Sequence, residues 1–432
     1  MGSRFGNFLQ SVFERTYGPP TTTLLQTILR TKMLLNQGRR NLPDQHSINL
    51  LRQLVSFDTV SRNSNLPMIE FIRDYLAQRQ ISSRITYDRE RRKANLFATI
   101  GSGSKPGIVL SGHTDVVPVD GQDWASDPFA LREQDGRYYG RGACDMKGFI
   151  AIALAKVDAM LEADLDAPFH LAFSYDEEVG CIGVHKLLDD LREQNVPTLG
   201  CIVGEPTGMQ MKTGHKGKRA FRCTVTGRSS HSSTPDAAVN AIEYSTELIA
   251  FLRNQSKELE NSLRDYLFDV PYTTLTTTMF NGGIATNTIP ASCEFVFEYR
   301  YLPAQDPAQI DRRIQHFIAT VLLPQMQEKA QEAAIELSTC IDYPALETPS
   351  GAEIQKIVEN WAIPGEQSKV GFGTEAGIFT NFGIPSVVCG PGDINHAHRP
   401  NEFVSAQQLI LCEDFIDGLI WEMWSRKAAN ED

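Results

Sequence analysis

A chain of 432 residues, 41% of them hydrophobic, is long enough for more than one domain and apolar enough for a proper core. Its net charge of −12, with both signs mixed along most of the length, argues against a nucleic-acid partner. No apolar run reaches the length of a membrane span, and eight scattered cysteines without a C-x-x-C pair read as small buried hydrophobes in a reducing compartment.

The first 45 residues depart from this balance. Arg4, Arg15, Arg30, Lys32, Arg39 and Arg40 face only Glu14 and Asp44, and Leu24, Leu25, Ile28, Leu34 and Leu35 recur at roughly helical spacing. The acid-poor bias suits an organellar transit peptide; the apolar stripe suits an appended surface helix, which is the expectation. Gly6, where Ser or Thr would be needed, disfavours myristoylation of Gly2. There is no compact apolar region of the kind that directs secretion.

Helices are predicted over 47–56, with Ser47 as N-cap, and over 68–80. Strands are predicted over 84–87, 95–100 and 108–110. A helix over 146–160, a strand over 169–175, a helix over 184–194 and a strand over 199–203 follow. Such alternation predicts an α/β fold of βαβ units, with a largely parallel sheet and helices on both faces.

After Gly214 the pattern changes. Strand 219–227, helix 237–254, strands 274–280 and 293–300, helix 308–333 and strand 335–340 give the order βαββαβ, that of a ferredoxin-like α+β unit with an antiparallel four-stranded sheet. The expected division is an N-terminal extension (1–45), a first domain in two parts (46–215 and 342–432), and a domain inserted between them (216–341).

Four of the strand-like runs deliver His, Asp or Glu at their C-terminal ends. The run at 108–110 leads to His113 and Asp115, two apart and so on one side of an extended chain. A glycine-rich turn then brings Asp145. Run 169–175 leads to Asp176-Glu177-Glu178, run 199–203 to Glu205, and run 384–389 to His396 and His398. Open α/β sheets carry their sites at the carboxyl ends of strands. One such coincidence is ordinary; four point to a metal centre of nitrogen and oxygen donors. Either His396 or His398 satisfies the spacing. His46, His170, His185 and His316 stand in no such context and read as structural or surface residues.

The ordered set GHTDVVP, GRGACDMKG, YDEEVG, GEPT, GRSSHSSTP, GGIATNTIP, GTEAG and AHRPNEF resembles the M20 family of di-zinc amidohydrolases, and within it the acetylornithine-deacetylase branch. The resemblance runs from about Ser47 to the C-terminus. It implies a zinc-exopeptidase-like catalytic domain with an inserted lid or dimerisation domain, and a homodimer formed through that insert. It implies two Zn2+, for which Co2+ or Mn2+ could substitute. His113, Asp145 and Glu205 would bind one ion, and Glu178, His398 and the shared Asp145 the other. A cis peptide is implied after Asp145.

Glu177 is the expected general base, because adjacent residues on an extended segment point opposite ways and Glu178 is the ligand. Asp115, counted as catalytic in the family, fits the partner that orients the His113 imidazole. His231 alone would read as a surface histidine in a Ser-rich turn. The resemblance implies a donor to the oxyanion, often supplied by the partner subunit. It likewise implies that Asn287 contacts substrate and that Arg300 pairs with a substrate carboxylate. Glu298 matches the family around Arg300; Tyr301 stands where the family has proline.

Glu375, in a segment that marks the deacetylase branch, suits a free substrate amine. A helix cap is its bland alternative. The implied reaction is removal of the acyl group from a small-molecule N-acyl amino acid in the cytoplasm, with N2-acetyl-L-ornithine in arginine biosynthesis as the first expectation. N-acetylcitrulline, succinyl-diaminopimelate, a dipeptide, or a non-catalytic metal-binding homologue are the alternatives.

Overall fold

The computed structural model describes residues 40–101, 105–365 and 368–431, so the helix expected near 24–35 lies outside it. The chain forms two compact units. Among the described residues, one takes those up to Thr213, 348–365 and those from Thr374 onward; the other is Gly214–Glu347 with 368–373. The sequence pattern put the crossings at 216 and 341 and did not mark the short second excursion at 368–373.

In chain order, α1 (Gln45–Val55), α2 (Leu66–Ala77), β1 (Ser83–Tyr87), β2 (Ala94–Ile100), β3 (Gly107–His113), α3 (Lys147–Ala155), β4 (Phe169–Ser174), α4 (Val184–Glu193) and β5 (Thr198–Pro206) open the first unit. The second unit contributes β6 (Gly217–Thr226), α5 (Ala241–Glu260), β7 (Thr274–Gly282), β8 (Ser292–Tyr301), α6 (Pro307–Phe317) and β9 (Ala334–Tyr343). The chain then returns with α7 (Glu353–Trp361), α8 (Ala376–Asn381), β10 (Ser386–Gly390) and α9 (Ala406–Glu431).

The first unit is built on a six-stranded sheet in the order β1-β2-β4-β3-β5-β10. The last four strands are mutually parallel, whereas β1 and β2 form an antiparallel edge. Strands β3, β4 and β10 are buried along their whole length, as a sheet covered on both faces requires. The covering follows from the pleat. Ser111 reaches toward Glu375 at the head of α8, while a Cβ on its neighbour Gly112 would meet Ile150 of α3. Helix α3 lies close on the sheet: a Cβ on Gly204 would fall 2.0 Å from the Phe149 ring. Among the described residues no helix is long and apolar enough to cross a membrane.

The second unit is a four-stranded antiparallel sheet in the order β7-β8-β6-β9, the ferredoxin-like arrangement. Two of its helices differ from the sequence pattern. Helix α5 begins at 241 rather than 237, where the Asn240 side chain accepts the Ile242 N–H at 3.1 Å as an N-cap. The helix expected over 308–333 ends as α6 at Phe317; a π-turn at Ile318–Leu322 leads into a short helix, Leu323–Lys329. Pro324, which has no N–H to offer the preceding turn, stands at that junction.

Candidate metal centre

The parallel strands end together, and their ends bring the expected residues to one place. At the end of β3, His113 Nε2 lies 2.9 Å from Asp145 Oδ1 and 3.5 Å from Glu205 Oε1 of β5. From the loop after β10, His398 Nε2 lies 3.1 Å from both Asp145 Oδ2 and Glu178 Oε2. Asp145 thus presents one oxygen to each histidine. Donor atoms of His113, Asp145 and Glu178 lie within 4.8 Å of one another, as do those of His113, Glu177 and Glu205. His396 is elsewhere, with its ring stacked on Phe403 at 4.3 Å. The Asp145–Met146 peptide is cis.

Backbone geometry aims these side chains. Asp176 and His398 both adopt left-handed conformations (φ 57° and 63°), uncommon for residues with a side chain. The turn after β4 is held by an ion pair between Lys93 and Asp176. It is also held by Asp115, whose carboxylate accepts the N–H groups of Glu177 at 3.1 Å and Glu178 at 3.3 Å and the Ser61 hydroxyl at 2.7 Å.

Asp115 meets His113 differently from the expectation. The acceptor at hydrogen-bond distance from Nδ1 is the Asp115 main-chain oxygen, at 2.9 Å; the carboxylate Oδ1 stands at 3.6 Å. With Nδ1–H directed at that oxygen, Nε2, which faces Asp145 and Glu205, is the nitrogen that would bind a cation once it gives up its own proton.

The electrostatics are those of crowded acids. Burial, against the pull of His113 and with the Glu178 and Asp145 carboxylates, pushes the Glu177 carboxyl well above the usual range, and burial with Asp145 does the same for Glu205. Burial and Asp145 push Glu178 up to about 7. Burial opposes ionisation of Asp145 too, but hydrogen bonds from His113 and His398 hold it low. Those to Asp145 and Glu178 raise His398 to about 10. Glu178 Oε1 is buried with no hydrogen-bond partner. Nitrogen and oxygen donors, one carboxylate between two imidazoles, and buried acids that repel one another are the chemistry that suits a pair of divalent cations.

Glu375 belongs to the same buried cluster. It is 1% exposed, its Oε2 lies 3.5 Å from Ser111 Oγ, and burial raises it to about 7. It does not cap α8 through its side chain; Thr374 Oγ1 accepts the Ala376 N–H instead.

The other expected residues lie in the second unit. The strands Ser230–His231 and Thr288–Ile289 pair, and Ser232 N donates to Asn287 O at 3.0 Å, so His231 and Asn287 are neighbours. Nδ1 of His231 accepts the Ser233 N–H at 3.2 Å, which leaves the proton of the neutral ring on Nε2. Arg300 Nε donates to Glu298 at 3.1 Å, and the side chain is one-third exposed.

Sequence reasoning assigned no role to Ser61, Lys93, Arg141 or Glu402. Arg141 and Glu402 form a fully buried ion pair at 2.6 Å, and Glu402 Oε1 accepts the N–H groups of Cys144 at 2.9 Å and Asp145 at 3.1 Å. Both lie inside stretches already singled out, GRGACDMKG and AHRPNEF, but neither looks like a ligand.

This arrangement defines a hydrolase with a candidate two-cation centre at the carboxyl edge of a parallel sheet. Residues 109–422 match the model of peptidase family M20/M25/M40, and the chain belongs to that family. It is 33% identical to an acetylornithine deacetylase of Pasteurella multocida (strain Pm70), covering 84% of this chain and 93% of that one. It is 34% identical to an acetylornithine deacetylase of Myxococcus xanthus with the same coverage. Its fold is shared with a tripeptidase of Staphylococcus aureus (TM-score 0.70, 21% identity, 90% of this chain and 100% of that one). It is also shared with a dinuclear metal-binding M20 peptidase of Bacillus subtilis (TM-score 0.61, 15% identity, 87% and 97%).

Proposed function

We propose that this chain hydrolyses the amide of an N-acyl amino acid, with N2-acetyl-L-ornithine as substrate and L-ornithine and acetate as products. The observation that carries the reading is the meeting of His113, Asp145, Glu178, Glu205 and His398 with one further carboxylate, Glu177, at the sheet edge. The acetylornithine deacetylases among its relatives support the acyl group and the amine.

Two zinc ions would be held by His113, Asp145 and Glu205 and by Asp145, Glu178 and His398. Once bound, they supply Lewis-acid polarisation of the carbonyl and a more acidic water. Water oxygen adds to the amide carbon, the C–N bond breaks, and Glu177 carries the proton from the water to the departing nitrogen. Asp115 keeps Glu177 in place through its main chain. We assign His231, through Nε2–H, and Asn287 to the developing oxyanion, Arg300 to the substrate carboxylate and Glu375 to the amine of the substrate. The second unit would serve as a lid and dimerisation part of a cytoplasmic homodimer acting in arginine biosynthesis.

The test is amine release from N2-acetylornithine, N2-acetylcitrulline, N-succinyl-diaminopimelate and a plain dipeptide by the zinc-loaded protein. Strong preference for acetylornithine supports the reading. Preference for another of the four keeps the chemistry and replaces the substrate, and no release from any of them overturns both.

A further inference from the structure

The main chains of Asp145 and His398 are joined by an unbroken line of side-chain hydrogen bonds. Glu402 Oε1 accepts the Asp145 N–H at 3.1 Å, and Glu402 Oε2 accepts from Arg141 Nη1 at 2.6 Å. Arg141 Nη2 donates to Gln122 Oε1 at 2.6 Å, and Gln122 Nε2 donates to the main-chain oxygen of His398 at 3.0 Å. Trp124 Nε1 adds a second donor to Gln122 Oε1, at 3.0 Å, and Arg141 Nη1 reaches Arg399 O at 3.4 Å.

The line links two loops more than 250 positions apart in the chain. His398 has need of such a link: it sits in a left-handed conformation on a loop after β10, and its ring is half-exposed. No regular element fixes it. Arg141, by contrast, is 1% exposed, and its planar fork fixes direction as well as charge.

We propose that Glu402, Arg141 and Gln122 form a clamp that sets the spacing between Asp145 and His398, making them positioning residues for the second cation site. The proposal rests on the assignment of Asp145 and His398 as ligands of a cation pair. Gln122 is the informative position, because it is only half-buried and touches the His398 side of the line without touching any proposed ligand side chain.

Zinc is titrated into the metal-stripped full chain against a chromophoric chelator, for wild type, Gln122→Ala, Gln122→Glu and Glu402→Gln, with thermal unfolding of the stripped proteins as the control for folding. Wild type should take up two ions. Gln122→Ala should unfold like wild type, bind one ion unchanged and the other about 10-fold more weakly. Gln122→Glu keeps the acceptor for Arg141 but loses the donor to His398, and should follow it. Glu402→Gln should weaken both ions, since Asp145 serves both; if it does not fold, the Gln122 pair still decides. Wild-type affinities in the Gln122 variants, or equal loss at both sites, overturn the clamp alone. A wild type that binds no zinc overturns the ligand assignment and the clamp with it.

Discussion

The carboxylate of Asp115 accepts the backbone N–H of Glu177 at 3.1 Å. An acid that in sequence looked like the partner of an imidazole thus acts on the turn that carries the proposed base, Glu177, and the proposed ligand, Glu178. Burial opposes its ionisation, but the nearby His113 imidazole and hydrogen bonds from Ser61 and the Glu177 N–H hold it below the usual range, so it is charged in that role. Asp115→Ala should lower kcat by about 100-fold or more, the scale on which a small misplacement of catalytic groups costs rate. Ser61→Ala, which removes one hydrogen bond to Asp115, should cost only about 1–2 kcal/mol in stability. Steady-state kinetics and thermal unfolding of the two variants check this; an Asp115→Ala enzyme with wild-type kcat would refute it.

Glu177 should separate catalysis from cation binding. Glu177→Ala is expected to lose roughly 100- to 10,000-fold in kcat while still taking up two zinc ions. Its Oε1 accepts from Cys181 Sγ at 3.4 Å, so the change also removes a weak thiol contact. Metal analysis beside the kinetics decides: a variant that binds a single ion would make Glu177 a ligand, in keeping with its closeness to His113 and Glu205.

Zinc uptake should release protons. Without cations, His398 stands near 10 and Glu178 near 7, while Glu205 is raised well above the usual range. These groups therefore hold protons around neutrality that ligation must expel. The sign follows: lowering the pH below 7 fills the site with protons and weakens zinc binding. Calorimetric titration at pH 7 in buffers of different ionisation enthalpy should give heats that depend on the buffer. Identical heats would count against the assignment.

His170 predicts a separate effect on stability. It is buried between Phe97 (5.4 Å, stacked) and Thr99 (3.0 Å from Nδ1), and burial lowers its pKa to about 4. The unfolded chain, with an ordinary imidazole, binds a proton more readily, so the contribution is fully present above the ordinary value of about 6.5 and is lost as the pH falls toward 4. Over that window the loss is about 3 kcal/mol at most. His170→Phe, which keeps the ring stack, should unfold with a smaller difference between pH 7 and pH 5 than wild type. Denaturant midpoints at the two pH values test it.

Much of this fold was legible in sequence because strands, and the acids and histidines at their ends, leave local marks. Continuous apolar runs at 108–110, 169–175, 199–203 and 384–389 announced buried strands, with His113, Glu178 and Glu205 two or three residues beyond the first three and His398 nine beyond the last. The switch to alternating strands after Gly214 marked the ferredoxin-like unit in the same way. Propensity faded where single residues set boundaries, as with the Asn240 cap and Pro324.

The spacing of 396 and 398 could not say which histidine faces the acids, because that depends on a left-handed turn at His398 and on the stacking of His396 against Phe403. Nor could residue types show that Asp115 holds the Glu177 turn, or that Glu402 and Arg141 are buried together behind Asp145. Local pattern reports how one segment meets water. Which buried charges meet each other is decided by the crossing of distant segments, since a buried charge is tolerable only where the fold supplies its partner.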